Sequence, residues 1–511
     1  MDVRRVFSLY LLVLGLVWPQ FAGAKLVQVI HTNDLHSHMD YAGSKPDRGG
    51  YAAVKSLINL LKFKAKIQGI PTLILDGGDF SEGTHFFLAE QGLMSWEAMD
   101  EIGYDAVALG NHDYQIGNEG IDYILKMFRP KFNLLAANYI VENGFPSAKA
   151  GIKPYVEFEK GGIKIAILGL TTNELFYRWT AKPGGSVEDP IATAKKYAPE
   201  LKKRNHFVFA LTHMGANDER KLLEQVPAID LVVGGHSHTT FFKPVYVPRA
   251  KNFGIQVQAG EHGKYVGEML LDLQPGVPPR VIRYKLNEVN PLLVGQDWSM
   301  LYFVSQTRKA IEKRYGDGWL DEKIGYSKTD LERPLDGTTA WSSIYPRAFR
   351  KATGSDMAFD VGEFYGPTQV KGDITREKLL RFYPRVFDIF NPNGWTIWTV
   401  KIAGKVMVDI VKVAARIGFF FNLDGMTYRT VKKADGSYDY VDFKIGGQPV
   451  SPLKVYKVAT SEGLGRGAKN ASWLADLLTN PEDSGIPIWK TVEDEVRKSM
   501  PPVQMPHWAS H

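Results

Sequence analysis

Six short apolar runs, each followed at once by polar residues, constrain this chain more than any other feature. They cover residues 26–30, 72–75, 106–109, 163–168, 207–211 and 231–233. Continuous runs of this length, bounded by turns, read as strands buried on both faces. Amphipathic stretches between them, at 57–63 and 121–128, read as helices. The pattern predicts an α/β fold whose strands are covered by helices.

The residues that end these runs carry the chemistry. The first is followed by Asn33, Asp34 and His36, the second by Asp76 and Asp79, and the third by Asn111, His112 and Asp113. The fifth ends in Thr212 and His213, and the sixth in His236 and His238. Ligands of open α/β sheets bind beyond the carboxyl ends of the strands, so five strand ends present Asp, Asn and His to one edge. Such a set, without thiolates, suits Mn²⁺, Zn²⁺, Fe or Mg²⁺. Seven donors exceed one tetrahedral site and fit two cations about 3.5–4 Å apart that share a carboxylate. The chain has twelve histidines. None lies between His262 and His507, which confines imidazole chemistry to the first half. His31, His38, His85, His206 and His262 read as ordinary hydrogen-bonded histidines.

Composition narrows the rest. Hydrophobic residues make up 44% and charged residues 23%, which excludes a disordered or fibrous chain. There is no cysteine, so disulfides, thiolate metal sites and cysteine nucleophiles are excluded. A net charge of +6 without a long basic run gives no signal for a nucleic acid polymer as partner. Arg4 and Arg5, an apolar run over 9–18 and the Ala22-Gly23-Ala24 site predict a signal peptide over 1–24, hence a periplasmic or secreted protein with no stable membrane anchor after cleavage. Breaks at 275–279 and 290–291 and a helical stretch over 297–314 suggest a first domain at 25–290, a linker helix within 291–322 and a second domain at 323–511. In the second domain the pattern predicts helices near 342–351 and 405–417 and strands near 396–402 and 455–460.

Taken together, Asp34-x-His36, Gly78-Asp79, Gly110-Asn111-His112-Asp113, Thr212-His213 and Gly235-His236-Ser237-His238 resemble the motifs of the calcineurin-like metallophosphoesterases. The order of parts is similar to that of the bacterial periplasmic 5′-nucleotidase family. The resemblance implies a metallophosphoesterase-like two-sheet sandwich covered by helices, a linker helix and a second α+β domain. It implies two divalent metal ions, Mn, Zn or similar. Asp34, His36 and His238 would hold one, Asn111, His213 and His236 the other, and Asp79 would bridge them. The implied activity is hydrolysis of a nucleotide or related small phosphate ester by a metal-bridging hydroxide, with His112 at the reacting oxygens. The family orients this histidine with an Asp three residues on; here that position is Gln115, which leaves Asp113 as the expected substitute.

The second domain departs further from the family. Gly372-Asp373-Ile374-Thr375 is present, but the phosphate-reading arginine position is Gly366. Of the two phenylalanines that clamp a base, one matches Phe420, with Asn422 two residues later; the other falls on Gly463, and the ribose-contacting Asp falls on Lys469. Phe420, Asn422 and Lys469 are the expected substrate-binding residues. Two alternatives remain: a thiosulfohydrolase-like enzyme acting on a carrier-bound S-sulfonate, and a non-catalytic metal-containing binding protein.

Overall fold

The computed structural model describes residues 25–43, 46–174, 177–334, 337–416, 421–470 and 479–502. The expected leader, Phe420, His507 and His511 lie outside these residues, and so does the side chain of Lys469.

All six apolar runs form strands: β1 (Leu26–Thr32), β2 (Thr72–Asp76), β3 (Ala106–Ala108), β4 (Ile163–Thr171), β5 (Phe207–His213) and β6 (Leu231–Val233). They divide between two sheets. In the first, β1, β2 and β3 run parallel, with Tyr265–Asp272 antiparallel on the other side of β1. In the second, β4, β5 and β6 run parallel in that order and Phe253–Val257 continues beyond β6.

The sequence pattern suggests helices on both faces of these strands, but the layering differs. Each sheet packs one face on the other sheet and only the opposite face on helices. Val27, Val29, Leu73, Leu75, Phe207, Phe209, Leu231 and Val233 fill the space between the sheets. Ile30, Ile74 and Val107 point to the helical side of the first sheet, and Val208, Ala210 and Val232 to that of the second. Both faces are therefore apolar, which is why the runs show no alternation.

The helix Trp298–Tyr315 follows, capped by the Asp297 side chain, which accepts from the Met300 N–H at 3.1 Å. Beyond it lies a five-stranded sheet in the order Phe421–Asp424, Met357–Val361, Val455–Ser461, Thr396–Ala403, Thr479–Pro487, with helices Ile344–Thr353, Gly404–Arg416 and Ile488–Ser499. One apolar core runs from the helical side of the first sheet, through Met300 and Ile311, into Trp341, Phe349 and Trp395 of this second part. Among the described residues no helix is long and apolar enough to cross a membrane.

Candidate metal and catalytic site

The loops after β1, β2, β3, β5 and β6 meet at one edge of the sandwich. Five of the seven candidate ligands there sit in the left-handed backbone region: Asp34 (φ 53°), His36 (47°), Asp79 (55°), His236 (78°) and His238 (53°). With Ser37 and His262 they make seven of the ten such non-glycine residues among those described. This conformation costs about 1–3 kcal/mol per residue and marks functional loops when it clusters. Tight glycine approaches hold the loops together. A Cβ on Gly110 would lie 2.1 Å from Asp79 Oδ1, and one on Gly235 3.0 Å from His213 Nδ1.

Three overlapping groups of facing donors result at this edge, one of them His36, Asp79 and His112. Asp34, His36 and His238 form a second; Asp79, His213 and His236 form a third. Asp34 Oδ1 lies 3.4 Å from His238 Nε2 and 3.9 Å from His36 Nε2. Asp79 Oδ2 lies between the groups, 3.0 Å from His213 Nε2 and 3.7 Å from His36 Nε2. Asn111 Oδ1 is 3.1 Å from His213 Nε2.

The outer partners fix the tautomers. His36 Nδ1 faces the Glu82 carbonyl at 2.8 Å, His213 Nδ1 the Gly77 carbonyl at 2.8 Å and His238 Nδ1 the Glu261 carboxylate at 2.6 Å. Each acceptor requires a proton on Nδ1, so in the neutral ring the lone pair is on Nε2. Two such Nε2 atoms, of His36 and His238, then face one another at 3.2 Å. Lone pairs converging on lone pairs and carboxylates are what a cation relieves, and donors about 2.0–2.2 Å from an ion stand about 3–3.6 Å apart. The residues present fit divalent metals. Electrostatics agree: burial opposes charge on Asp79, yet His213, His112 and His36 around it hold its carboxyl well below the usual range. Burial likewise opposes charge on His213 and His238, but Asp79 and Asp34 raise both, so the carboxylates draw positive charge to the position where a cation would supply it.

His112 is beside this set, its backbone N–H donating to Asp79 Oδ1 at 2.8 Å. Asp113 is not its partner. The Asp113 carboxylate accepts the backbone N–H groups of Asp79 (2.9 Å), Ser81 (2.9 Å) and Gly110 (2.7 Å), because the helix turn at Asn111–Tyr114 points it back at the β2 loop. His112 Nδ1 instead meets Glu82 Oε2 at 2.5 Å. Glu82, Glu174, which takes His236 Nε2 at 2.9 Å, and Glu261 were not legible as site residues from spacing alone. Glu82 had one available signal, its place three residues after Asp79 on the same loop.

A cavity of about 260 Å³ opens over the set, walled by His112, Tyr177, His38 and His262 on one side and by Arg333, Glu363, Tyr365, Gly366 and Arg385 on the other. His38 and His262, read as ordinary histidines, stack here at 3.8 Å between ring centroids. Asn422 does not line this cavity. Its amide is buried, donating to the Ser342 carbonyl at 2.7 Å and to Tyr365 Oη at 2.8 Å. Lys469 lies on the helix Glu462–Asn470. The two positions lacking family side chains are filled by the chain itself. A Cβ on Gly366 would lie 2.2 Å from the Arg381 carbonyl oxygen, and one on Gly463 2.4 Å from the Trp395 ring.

Known proteins are similar to this chain. Residues 27–240 match the family model of the calcineurin-like phosphoesterases. The 5′-nucleotidase of Vibrio parahaemolyticus is 33% identical over 442 residues, 76% of this chain and 74% of its own. Protein UshA of Escherichia coli is 27% identical over 493 residues, 85% of this chain and 84% of its own. Among solved structures, the 5′-nucleotidase precursor from Thermus thermophilus superposes with a TM-score of 0.78 at 23% identity, covering 94% of this chain and 97% of that one. The sulfate thiohydrolase SoxB from the same organism shares the fold, with a TM-score of 0.72 at 16% identity over 94% of this chain and 95% of its own. Fold and site thus define a metal-dependent phosphoric ester hydrolase. Within that class the chain belongs to the 5′-nucleotidase family.

Proposed function

We propose that this protein is an exported hydrolase of a small phosphate ester that works with two divalent cations. Asp34, His36 and His238 are assigned to one cation and Asn111, His213 and His236 to the other, with Asp79 shared. The observation that carries the assignment is the convergence of Nε2 of His36, His213 and His238 on the buried carboxylates of Asp34 and Asp79, with Nδ1 of each ring turned to an outer acceptor. When bound, such a pair of cations supplies hydroxide at neutral pH and neutralises charge on the phosphoryl oxygens.

The chain's own residues do the remaining work. His112, held by Asp79 through its backbone and by Glu82 through Nδ1, keeps Nε2 for the leaving oxygen. Arg333 and Arg385 give the far wall positive charge against a phosphate, whereas Glu363 on that wall disfavours extra negative charge. The Arg381 backbone packed at Gly366 and the Trp395 and Phe364 rings packed at Gly463 support a substrate not gripped as the family grips a nucleotide. For that reason an S-sulfonate remains the second reading. The predicted leader over 1–24 is the basis for export, with the periplasm or the exterior as destination.

The test is metal analysis with a hydrolysis screen on the purified protein. Two equivalents of metal per chain are expected, with activity lost to a chelator and restored by Mn²⁺ or Zn²⁺. The screen compares AMP, UDP-glucose, cyclic nucleotides, non-nucleotide phosphates and an S-sulfonate. A metal-loaded protein inert towards every phosphate ester overturns the leading reading, and sulfate release from the S-sulfonate alone replaces it with the second.

A further inference from the structure

The carboxylate of Glu82 is buried in the loop after β2 and is more heavily engaged than its position requires. Oε2 meets His112 Nδ1 at 2.5 Å and Arg385 Nη1 at 2.9 Å, and Oε1 accepts the Val386 N–H at 3.0 Å. Arg385 is itself fixed, donating from Nε to the Phe364 carbonyl at 2.9 Å and from Nη2 to the Glu363 carbonyl at 2.9 Å. Position 115, where the resemblance calls for an Asp to orient the histidine, carries Gln115, whose amide turns away to the Val386 carbonyl at 3.3 Å. Among the described residues, the side-chain carboxylate bonded to His112 therefore comes from a different loop and is gripped from the second half of the chain.

We propose that Glu82 is the positioning residue of His112 in this protein, replacing the carboxylate missing at position 115, with Arg385 fixing Glu82 in register. This rests on the reading of His112 as the group that serves the leaving oxygen. A carboxylate accepts only, so Nδ1 carries a proton and Nε2 is the working nitrogen. As the P–O bond to the leaving group breaks, the imidazolium gives its Nε2 proton to that oxygen. The neutral ring then recovers a proton from the water consumed in the attack, so the net reaction is ester plus water to alcohol plus phosphate. Throughout, the Nδ1 proton remains on its bond to Glu82. That bond fixes the plane of the ring and keeps Nε2 turned to the leaving oxygen, as a buried carboxylate does behind a general-base histidine.

The experiment compares Glu82→Gln, Glu82→Asp, the double variant Glu82→Gln/Gln115→Asp and His112→Ala, each zinc-loaded, on an alkyl phosphate and on p-nitrophenyl phosphate. Glu82→Asp keeps the charge opposite Arg385, so it preserves folding while retracting the carboxylate by one methylene. For both single Glu82 variants, kcat on the alkyl ester is expected to fall about 10²-fold with KM within about threefold, and less on the nitrophenyl ester, whose leaving group needs no proton. The double variant is expected to regain at least about tenfold of that loss. Long-range ¹H–¹⁵N spectra, taken at a pH where the ring is neutral, should show His112 as the Nδ1–H tautomer in the parent and a mixture in Glu82→Gln. The inference is overturned if both single Glu82 variants keep kcat on the alkyl ester while His112→Ala loses it. A fully active His112→Ala protein overturns the reading of His112 itself.

Discussion

The carboxylate of Asp113 closes on the backbone of Asp79, its Oδ2 accepting the Asp79 N–H at 2.9 Å. The same carboxylate takes the N–H groups of Ser81 and Gly110, so one side chain ties the β2 loop to the β3 loop. Removing it orphans three N–H groups in a buried turn, at about 1–3 kcal/mol each before relaxation. Asp113→Ala is therefore expected to melt several degrees lower. It should also bind Mn²⁺ about 10–100-fold more weakly, the usual penalty for losing an outer partner of a ligand. At saturating metal most of kcat should return, because Asp113 touches no reacting atom. Calorimetric metal titration beside steady-state kinetics checks this; a kcat loss that metal cannot restore would assign Asp113 to the chemistry.

Glu261 plays the equivalent part for His238, with 2.6 Å between Oε2 and Nδ1. Glu261→Gln keeps the shape but permits the other tautomer, which would turn a proton towards Asp34. Metal affinity is expected to drop about 10–100-fold. Loss of one of two bound equivalents under limiting metal, seen by metal analysis after dialysis, is the readout. Retention of both would separate Glu261 from the site.

That the candidate donors would lie together was legible in the sequence because each follows a strand, and the strands of two packed sheets end along a shared edge. The helices and strands of the second part were legible for the same reason of periodicity, with 344–353 and 396–403 close to expectation. What stayed hidden was contact between distant loops. Nothing near Glu82 in sequence announces Arg385, 303 positions away. Nor did spacing reveal that Asp113, adjacent to His112, faces the opposite way, since that depends on the single helical turn at 111–114. The two-sheet layering was ambiguous from the strands themselves, because a strand covered by a sheet is as apolar as one covered by a helix.

Gly366 and Gly463 lead to a prediction about substrate choice. Each stands where the family resemblance places a substrate-gripping side chain, yet Phe364, Trp395 and the backbone of Arg381 already occupy the adjacent space. Gly463→Phe must displace the Trp395 ring, which also stacks on Phe387 at 4.6 Å. Overpacking of this kind costs about 1–3 kcal/mol or more. The expected result is a lower melting temperature and no gain in AMP affinity. Tighter AMP binding by titration, with stability unchanged, would show that the clamp was merely missing rather than built over.

Asp360 gives a pH dependence independent of the metals. It is buried in the five-stranded sheet, accepting from Ser461 Oγ at 2.8 Å and from Tyr383 Oη at 2.8 Å, and burial pushes its carboxyl up to about 7 against its hydrogen bonds. An unfolded Asp titrates near 4, about three pH units lower. Between those values the folded protein binds a proton that the unfolded chain has released, so stability from this group is full below about pH 4, falls as pH rises to about 7 and is level above. The full span is on the order of 4 kcal/mol. Asp360→Asn cannot ionise, so relative to the parent it should gain stability between pH 5 and pH 8. Urea unfolding of both proteins at the two pH values measures the difference directly. Parallel curves with no relative gain would mean that Asp360 stays charged in the fold, its hydrogen-bond donors outweighing its burial.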